Sequence, residues 1–192
     1  MNPLRQAFEY NAGDYDRWFD DHPHIYSAQL SMLRDAVPTD GLGLEIGVGS
    51  GRFAAPLGIS IGIDPSLALS ARARARGVET VIGVGEHLPF RDNTCDAILM
   101  MTVICFLDDP FPVFQEAYRL LKPSGTLVLG FIERDGAIAR KYQNDDVKGR
   151  FLRSVTYYSI DDVTTFYRDA GFPEVSIAER VRGFSVIVGK KQ

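Results

Sequence analysis

The stretch Gly41-Leu42-Gly43-Leu44-Glu45-Ile46-Gly47-Val48-Gly49-Ser50-Gly51 restricts the choice of fold more than any other, because an apolar, strand-like segment runs straight into three glycines spaced two apart. A strand-to-helix reversal of this kind needs positive φ, and a missing Cβ lets the backbone approach a ligand closely. A helix opening at Ser50 would aim its free N–H groups at whatever occupies the turn. The stretch therefore predicts a nucleotide-cradling turn at the carboxyl end of a first strand, in a sheet whose strands alternate with helices.

The spacing discriminates between cofactors. Dinucleotide domains read G-x-G-x-x-G, whereas here Arg52 stands where the third glycine would be. Glu45 ends an otherwise apolar strand, and Ile61-Gly62-Ile63-Asp64-Pro65-Ser66 supplies a second short apolar strand closed by a carboxylate suited to a ribose diol. With these features the chain resembles the class I S-adenosylmethionine-dependent methyltransferases, specifically the small-molecule branch that includes ubiquinone and menaquinone biosynthesis enzymes. The resemblance runs from about Tyr15 to the C-terminus. It implies a Rossmann-like, doubly wound α/β fold with a mostly parallel seven-stranded sheet and a C-terminal antiparallel hairpin. S-adenosylmethionine would be the cofactor and S-adenosylhomocysteine the product.

At 192 residues the chain is read as one domain with a single substantial core. It divides into a cap segment and helix (1–40), a cofactor-binding core (41–132), a lid-like insertion (133–158) and a closing helix and hairpin (159–192). The formal charge of −4 and pI near 5.4 argue against a nucleic-acid partner. No apolar run reaches the ~20 residues of a membrane span, and Met1-Asn2-Pro3-Leu4-Arg5 does not open a signal peptide. A cytoplasmic location is expected. Cys95 and Cys105 fall ten residues apart in one expected strand, too far to bridge each other.

Residues 1–24 read as irregular, with Phe8, Tyr10, Tyr15, Trp18 and Phe19 interleaved with four aspartates. By resemblance, Tyr15-Asp16-Arg17-Trp18 folds over the cofactor and lines the acceptor pocket, where aromatic rings would gain ~0.5–2 kcal/mol of attraction from a sulfonium. Core filling is the alternative fate for these rings. Apolar spacing predicts a helix from His24 to Val37, and Pro56 with Gly58 keeps the first crossover helix brief. A helix over 66–76 is capped by Ser66, with Arg72, Arg74 and Arg76 on a solvated outer face. Strands follow at Glu79–Gly85 and Cys95–Phe106, the latter apolar enough to be buried on both faces.

Between them, Gly83-Val84-Gly85-Glu86-His87-Leu88-Pro89-Phe90 resembles the family's adenine loop, although Val84 stands where most relatives carry an aspartate. The backbone of Val84 and Gly85, with Glu86 nearby, can still frame the ring. His87 is read as an exposed loop residue. Asp108-Asp109-Pro110 opens a helix marked by Phe111, Phe114, Ala117, Tyr118 and Leu121, and Lys122-Pro123-Ser124-Gly125 stops it before a fifth strand, Thr126–Ile132. The polar run 133–153 is either a helix and loop over the pocket mouth or a solvated connection. Ser159-Ile160-Asp161-Asp162 caps a last helix ending at Gly171, and Glu174–Val181 with Phe184–Gly189 form a hairpin turned at Arg182-Gly183.

The resemblance assigns cofactor binding to Tyr15, Glu45, Gly47, Val48, Gly49, Asp64, Pro65, Val84, Gly85, Glu86, Met101 and Thr102. Methyl transfer from a sulfonium mainly needs alignment and exclusion of water, with a general base only if the acceptor atom holds its proton. His22, His24, Tyr157 and Tyr158 are candidates for that base, and nothing in the sequence selects one. Cys105 is read as a small buried residue, and no histidine or cysteine spacing suits a metal. The fourth strand lacks the Asn/Asp-Pro-Pro-aromatic block of nucleic-acid base methylases, which favours a small-molecule acceptor. Two other readings stand beside this one: an NAD-dependent oxidoreductase, opposed by Arg52 and Glu45, and a catalytically degenerate cofactor-binding or interaction protein, to which Val84 alone points.

Overall fold

The computed structural model describes residues 3–144, 151–152 and 155–192. Seven strands form its sheet: β1 (Gly43–Ile46), β2 (Ile61–Asp64), β3 (Glu79–Ile82), β4 (Cys95–Met101), β5 (Leu121–Ile132), β6 (Glu174–Val181) and β7 (Phe184–Lys190). Their order across the sheet is β3-β2-β1-β4-β5-β7-β6. β1 to β5 are parallel, and β7 runs antiparallel to both β5 and β6. The expected hairpin is therefore present, but only its second strand opposes the rest of the sheet.

Strand periodicity builds two cores, one on each face. Ile98 and Met100 of β4 and Leu127, Leu129 and Phe131 of β5 point to one side, while Leu99, Met101, Val128 and Ile132 point to the other. On the first face α5 (Phe111–Leu120) buries Val113, Phe114, Ala117 and Leu120, and α7 (Ile160–Asp169) buries Val163 and Tyr167. The face of α5 is thus shifted from the expected set, with Phe111 and Tyr118 only half-buried and Leu121 already in β5. α7 starts on a complete capping box between Ser159 and Asp162. Its Tyr167 is wholly buried, and the hydroxyl reaches Leu127 O at 3.2 Å and Ile187 O at 3.1 Å. Tyr167→Phe should therefore lower unfolding free energy by about 1 kcal/mol, as read from urea denaturation; an unchanged midpoint would show that the hydroxyl contributes nothing.

On the opposite face lie α3 (Pro23–Arg34), whose Leu33 is fully buried, and the helices that cover the carboxyl ends of the strands. Here the expectation of an irregular N-terminus is overturned. Residues 3–21 form α1 (Pro3–Tyr10) and α2 (Ala12–Asp21). In α2 the buried positions are Ala12, Asp16 and Phe19, an i, i+4, i+7 stripe hidden in the sequence by the aspartate at its centre.

Three further boundaries differ from expectation. No helix opens at Ser50: the glycine turn runs into a single 3-10 turn, Ala55–Leu57, that closes on Gly58. β3 stops at Ile82, and β4 stops at Met101 because Thr102 adopts a φ of 54°, after which Ile104–Phe106 make another 3-10 turn. Cys105 consequently leaves the strand that holds Cys95, and both thiols are free and buried. α4 (Leu67–Ala75) begins as expected on Ser66, whose Oγ accepts from Leu69 N at 3.1 Å. In the polar insertion a helix does form, α6 (Ala137–Asn144); the rest of that segment lies largely outside the described residues. Among the described residues no helix is long and apolar enough to cross a membrane.

Candidate active site

The sheet reverses its winding between β1 and β4, and a cavity of about 460 Å³ lies over the carboxyl ends of the strands there. Its floor is the glycine turn. Gly47 and Gly49 have φ of 73° and 51°, and a Cβ on Gly47 would sit 2.5 Å from Val103 Cγ2, so a side chain is excluded by both backbone and space. At Gly49 the added atom would meet the Tyr15 hydroxyl at 3.2 Å, inside the cavity.

Asp64, at the end of β2, organises the turn. Its Oδ2 accepts from Gly49 N at 2.9 Å and its Oδ1 from Ser66 N at 2.9 Å, which ties the glycine turn to the start of α4. Each carboxylate oxygen can accept more than one hydrogen bond, so a diol can share the group. Of the residues expected to bind cofactor, Tyr15, Gly47, Gly49, Asp64, Pro65, Val84, Gly85, Glu86, Met101 and Thr102 all lie on the cavity wall. Glu45 and Val48 are set back from it, buried behind the turn.

Burial, opposed in part by a hydrogen bond from Ala54 and reinforced by the Asp64 charge, pushes the Glu45 carboxyl well above the usual carboxylate range. Its Oε2 has no hydrogen-bond partner among the described residues. A carboxyl whose folded pKa is raised weakens the fold as pH climbs above the unfolded value of about 4.3. Glu45→Gln should therefore raise the melting temperature of the ligand-free protein at pH 7 and have no such effect at pH 4; equal melting at both values would contradict this reading. Tyr15 is pushed well above its usual range too, by burial first and by the Asp64 charge next.

α2 is held over the cavity by an ion cluster, centred on the buried Asp16, that sequence reasoning missed. Arg52, in the position a dinucleotide motif gives to glycine, donates from Nε to Asp16 Oδ1 at 2.9 Å and makes two bonds of 2.8 Å to Asp20. Arg76 reaches Asp16 Oδ2 at 2.8 Å and Ser50 O at 2.8 Å, and Arg72 lies 3.5 Å from Asp16. Of the three arginines expected on a solvated outer face, Arg72 and Arg74 are exposed, but Arg76, and Arg72 more loosely, turn to Asp16 and clamp α2. The signal available was a carboxylate on the apolar stripe of α2, which demands a cation partner. From α1, Glu9 accepts from Ser66 Oγ at 2.6 Å, joining that helix to the same corner.

None of the four base candidates lines the cavity. His22 and His24 are exposed, Tyr157 donates its hydroxyl to Leu152 O at 2.8 Å, and Tyr158 is half-buried against Phe166. His87 is exposed, as read from the sequence. Burial pushes the Cys105 thiol up to about 12, which makes it inert as a nucleophile. Among the described residues there is no group of three or more histidines, cysteines or carboxylates that could hold a metal. The wall is instead aromatic and aliphatic, with Phe8, Trp18 and Phe19 from the N-terminal helices, Ile138 and Tyr142 from α6, and Phe151 stacked on Phe8 at 4.7 Å.

Comparison with known proteins agrees with this geometry. A family model described as a methyltransferase domain matches residues 44–129, from β1 to β5. An uncharacterized protein of Methanocaldococcus jannaschii is 36% identical over 175 residues, covering 91% of this chain and 85% of its own. A Thermotoga maritima crystal structure, described as an S-adenosylmethionine-dependent methyltransferase and possible histamine N-methyltransferase, is 36% identical, with a TM-score of 0.90 over 98% of this chain and 100% of the other. The methyltransferase in a Haloferax volcanii complex with the activator Trm112 shares the fold at a TM-score of 0.76 and 21% identity, over 99% of this chain and 98% of the other. A glycine turn without the dinucleotide register, a carboxylate at the end of β2 and a full-length relative of that kind lead to one assignment: the chain belongs to the class I S-adenosylmethionine-dependent methyltransferases, and S-adenosylmethionine is its cofactor.

Proposed function

We propose that the protein transfers the methyl group of S-adenosylmethionine to a small-molecule acceptor bound in the aromatic half of the cavity. The observation that carries this is the partial enclosure of the glycine turn and Asp64 by α1, α2 and α6, which leaves a mostly apolar pocket with a mouth, of a size that suits a small molecule. The description of the Thermotoga neighbour as a possible histamine N-methyltransferase is in keeping with an acceptor of that size.

The residues present fit the cofactor. The space left by the absent Cβ of Gly49 opens toward the Tyr15 hydroxyl, and the Asp64 carboxylate stands beside it at the cavity wall. In this reading Gly47 and Gly49 cradle the aminoacyl part, Asp64 accepts from the ribose hydroxyls, and the backbone of Val84 and Gly85 with Glu86 frames the adenine. Met101 and Thr102 close the floor, and Glu45 and Val48 support the turn from behind it. When bound, the cofactor supplies an activated methyl carbon, whose bond to sulfur breaks as the acceptor's lone pair forms the new one. Tyr15, Phe19 and Phe8 would exclude water and surround the cationic centre with aromatic rings. None of the four base candidates lines the cavity, and an acceptor atom that enters deprotonated needs no base.

The test is release of S-adenosylhomocysteine on incubation with S-adenosylmethionine and fractions of a cell extract. Release should require the fraction below about 1 kDa. Dependence on the protein or nucleic-acid fraction would rule out a small-molecule acceptor.

A further inference from the structure

We propose that the acceptor is an anion: an apolar or aromatic molecule whose carboxylate is met at the cavity mouth by Arg182 and Lys141. This rests on the methyl-transfer reading above and names its substrate class. Charge is divided within the cavity. The carboxylates Asp64 and Glu86 stand at the end of β2 and in the loop after β3, while the cations Lys141 and Arg182 come from α6 and the β6–β7 turn.

Both cations are exposed at the edge of the cavity. Among the described residues neither has a hydrogen bond or ion pair, although their neighbours are engaged: Arg134 with Asp162 at 2.9 Å, Arg140 with Asp135 O at 2.7 Å, and Arg180 with Glu133. A cation that borders an apolar chamber and has no partner is placed to receive an anion. Arginine suits a carboxylate in particular, because its planar fork matches the two oxygens.

The placement of Arg182 carries a conformational cost. Its φ of 52°, followed by 88° at Gly183, describes a tight hairpin turn that ordinarily takes Asn or Asp in the first position. The surrounding structure enforces it. Glu133 accepts two bonds from Arg180, at 3.0 and 2.8 Å, and one from Ser185 Oγ at 2.7 Å, while its own N–H donates to Gly183 O at 2.9 Å. Gly183 packs so closely on Gly136 that a Cβ would lie 2.6 Å from Gly136 Cα. The segment Glu133–Gly136 leads directly into α6, so the corner that fixes Arg182 adjoins the helix that carries Lys141. The transferred methyl comes from a cationic centre, so an anionic acceptor also gains Coulomb attraction across the chamber, and a cationic one loses it.

The experiment uses one ring with three charges. Indole-3-acetate, indole-3-acetamide and tryptamine are titrated into the full protein loaded with S-adenosylhomocysteine, and again into the Lys141→Gln, Arg182→Gln double variant. The acetate should bind at least tenfold more tightly than the amide, and tryptamine most weakly. This ranking should shrink with added salt and flatten in the double variant, whose S-adenosylhomocysteine affinity stays as in the parent. Equal or reversed ranking in the parent, absence of binding by all three, or an unchanged ranking in the double variant would each overturn the proposal. Failure of S-adenosylhomocysteine itself to bind would count against the methyl-transfer reading instead, so the two failures are distinguishable. Arg182→Gly, which relieves the positive φ, provides the second variant: it should be at least as stable as the parent and still lose the preference for the acetate.

Discussion

Asp64→Ala is expected to weaken S-adenosylmethionine binding by tenfold to about a hundredfold. A hydrogen bond to a charged group contributes ~1.5–3 kcal/mol, and each 1.4 kcal/mol is a factor of ten in affinity. The loss has two sources. The substitution removes the carboxylate proposed to hold the ribose hydroxyls, and it strips the Gly49 and Ser66 amides of their acceptor, so the glycine turn itself loosens. Asp64→Asn removes the charge while keeping more of the turn's bracing than alanine does. Its amide oxygen can still accept from one backbone N–H but its NH2 group faces the other, and it carries no charge for the diol. Calorimetric affinities that fall in both variants, with circular dichroism reporting intact folds, support the ribose role. A fall only in the alanine variant would assign Asp64 to bracing the turn, and unchanged affinity in both would remove it from the site.

How much of this could be read from residue types alone depends on the range of the interaction that decides each feature. The cradle was legible because its causes are local: positive φ at Gly47, Gly49 and Gly51 leaves a glycine signature, and the short apolar run before Asp64 leaves that of a strand. The caps at Ser66 and Ser159 and the stop at Gly171, with φ of 105°, are equally local. Features decided by partners far along the chain were not legible. The N-terminal helices looked irregular because Asp16 interrupts their apolar stripe, and its arginine partners lie 36 and 60 residues away. Glu45, set back behind the turn, takes a hydrogen bond from the Ala54 backbone, nine residues along the chain. At Thr102 a single positive φ ends β4 early, and a threonine gives no warning of it.

The same distant partners set the second large effect: Asp16→Ala should destabilise the protein by about 2–3 kcal/mol and loosen cofactor binding together. Breaking a fully buried ion pair costs ~3–5 kcal/mol. The Asp16 carboxylate is only 10% exposed, but Arg72 and Arg76 retain 44% and 29% exposure and can turn to water, which places the expected cost below that range. Burial alone would raise the Asp16 pKa; hydrogen bonds from Arg52 and Arg76 outweigh it and bring the group down to about 2. A carboxylate with a depressed folded pKa stabilises the protein above its unfolded pKa of about 3.9, and that contribution is lost as pH falls through about 2. The difference in stability between parent and variant should accordingly be full at pH 5 to 7 and shrink between pH 4 and pH 2. Cofactor affinity is coupled to it because α2 carries Tyr15 and Phe19 into the cavity. Asp16→Asn, which keeps the volume and one acceptor, should lose less stability and less affinity than Asp16→Ala. If the alanine variant melts earlier but binds S-adenosylmethionine as the parent does, the ion cluster holds α2 to the body of the protein without closing it over the cofactor.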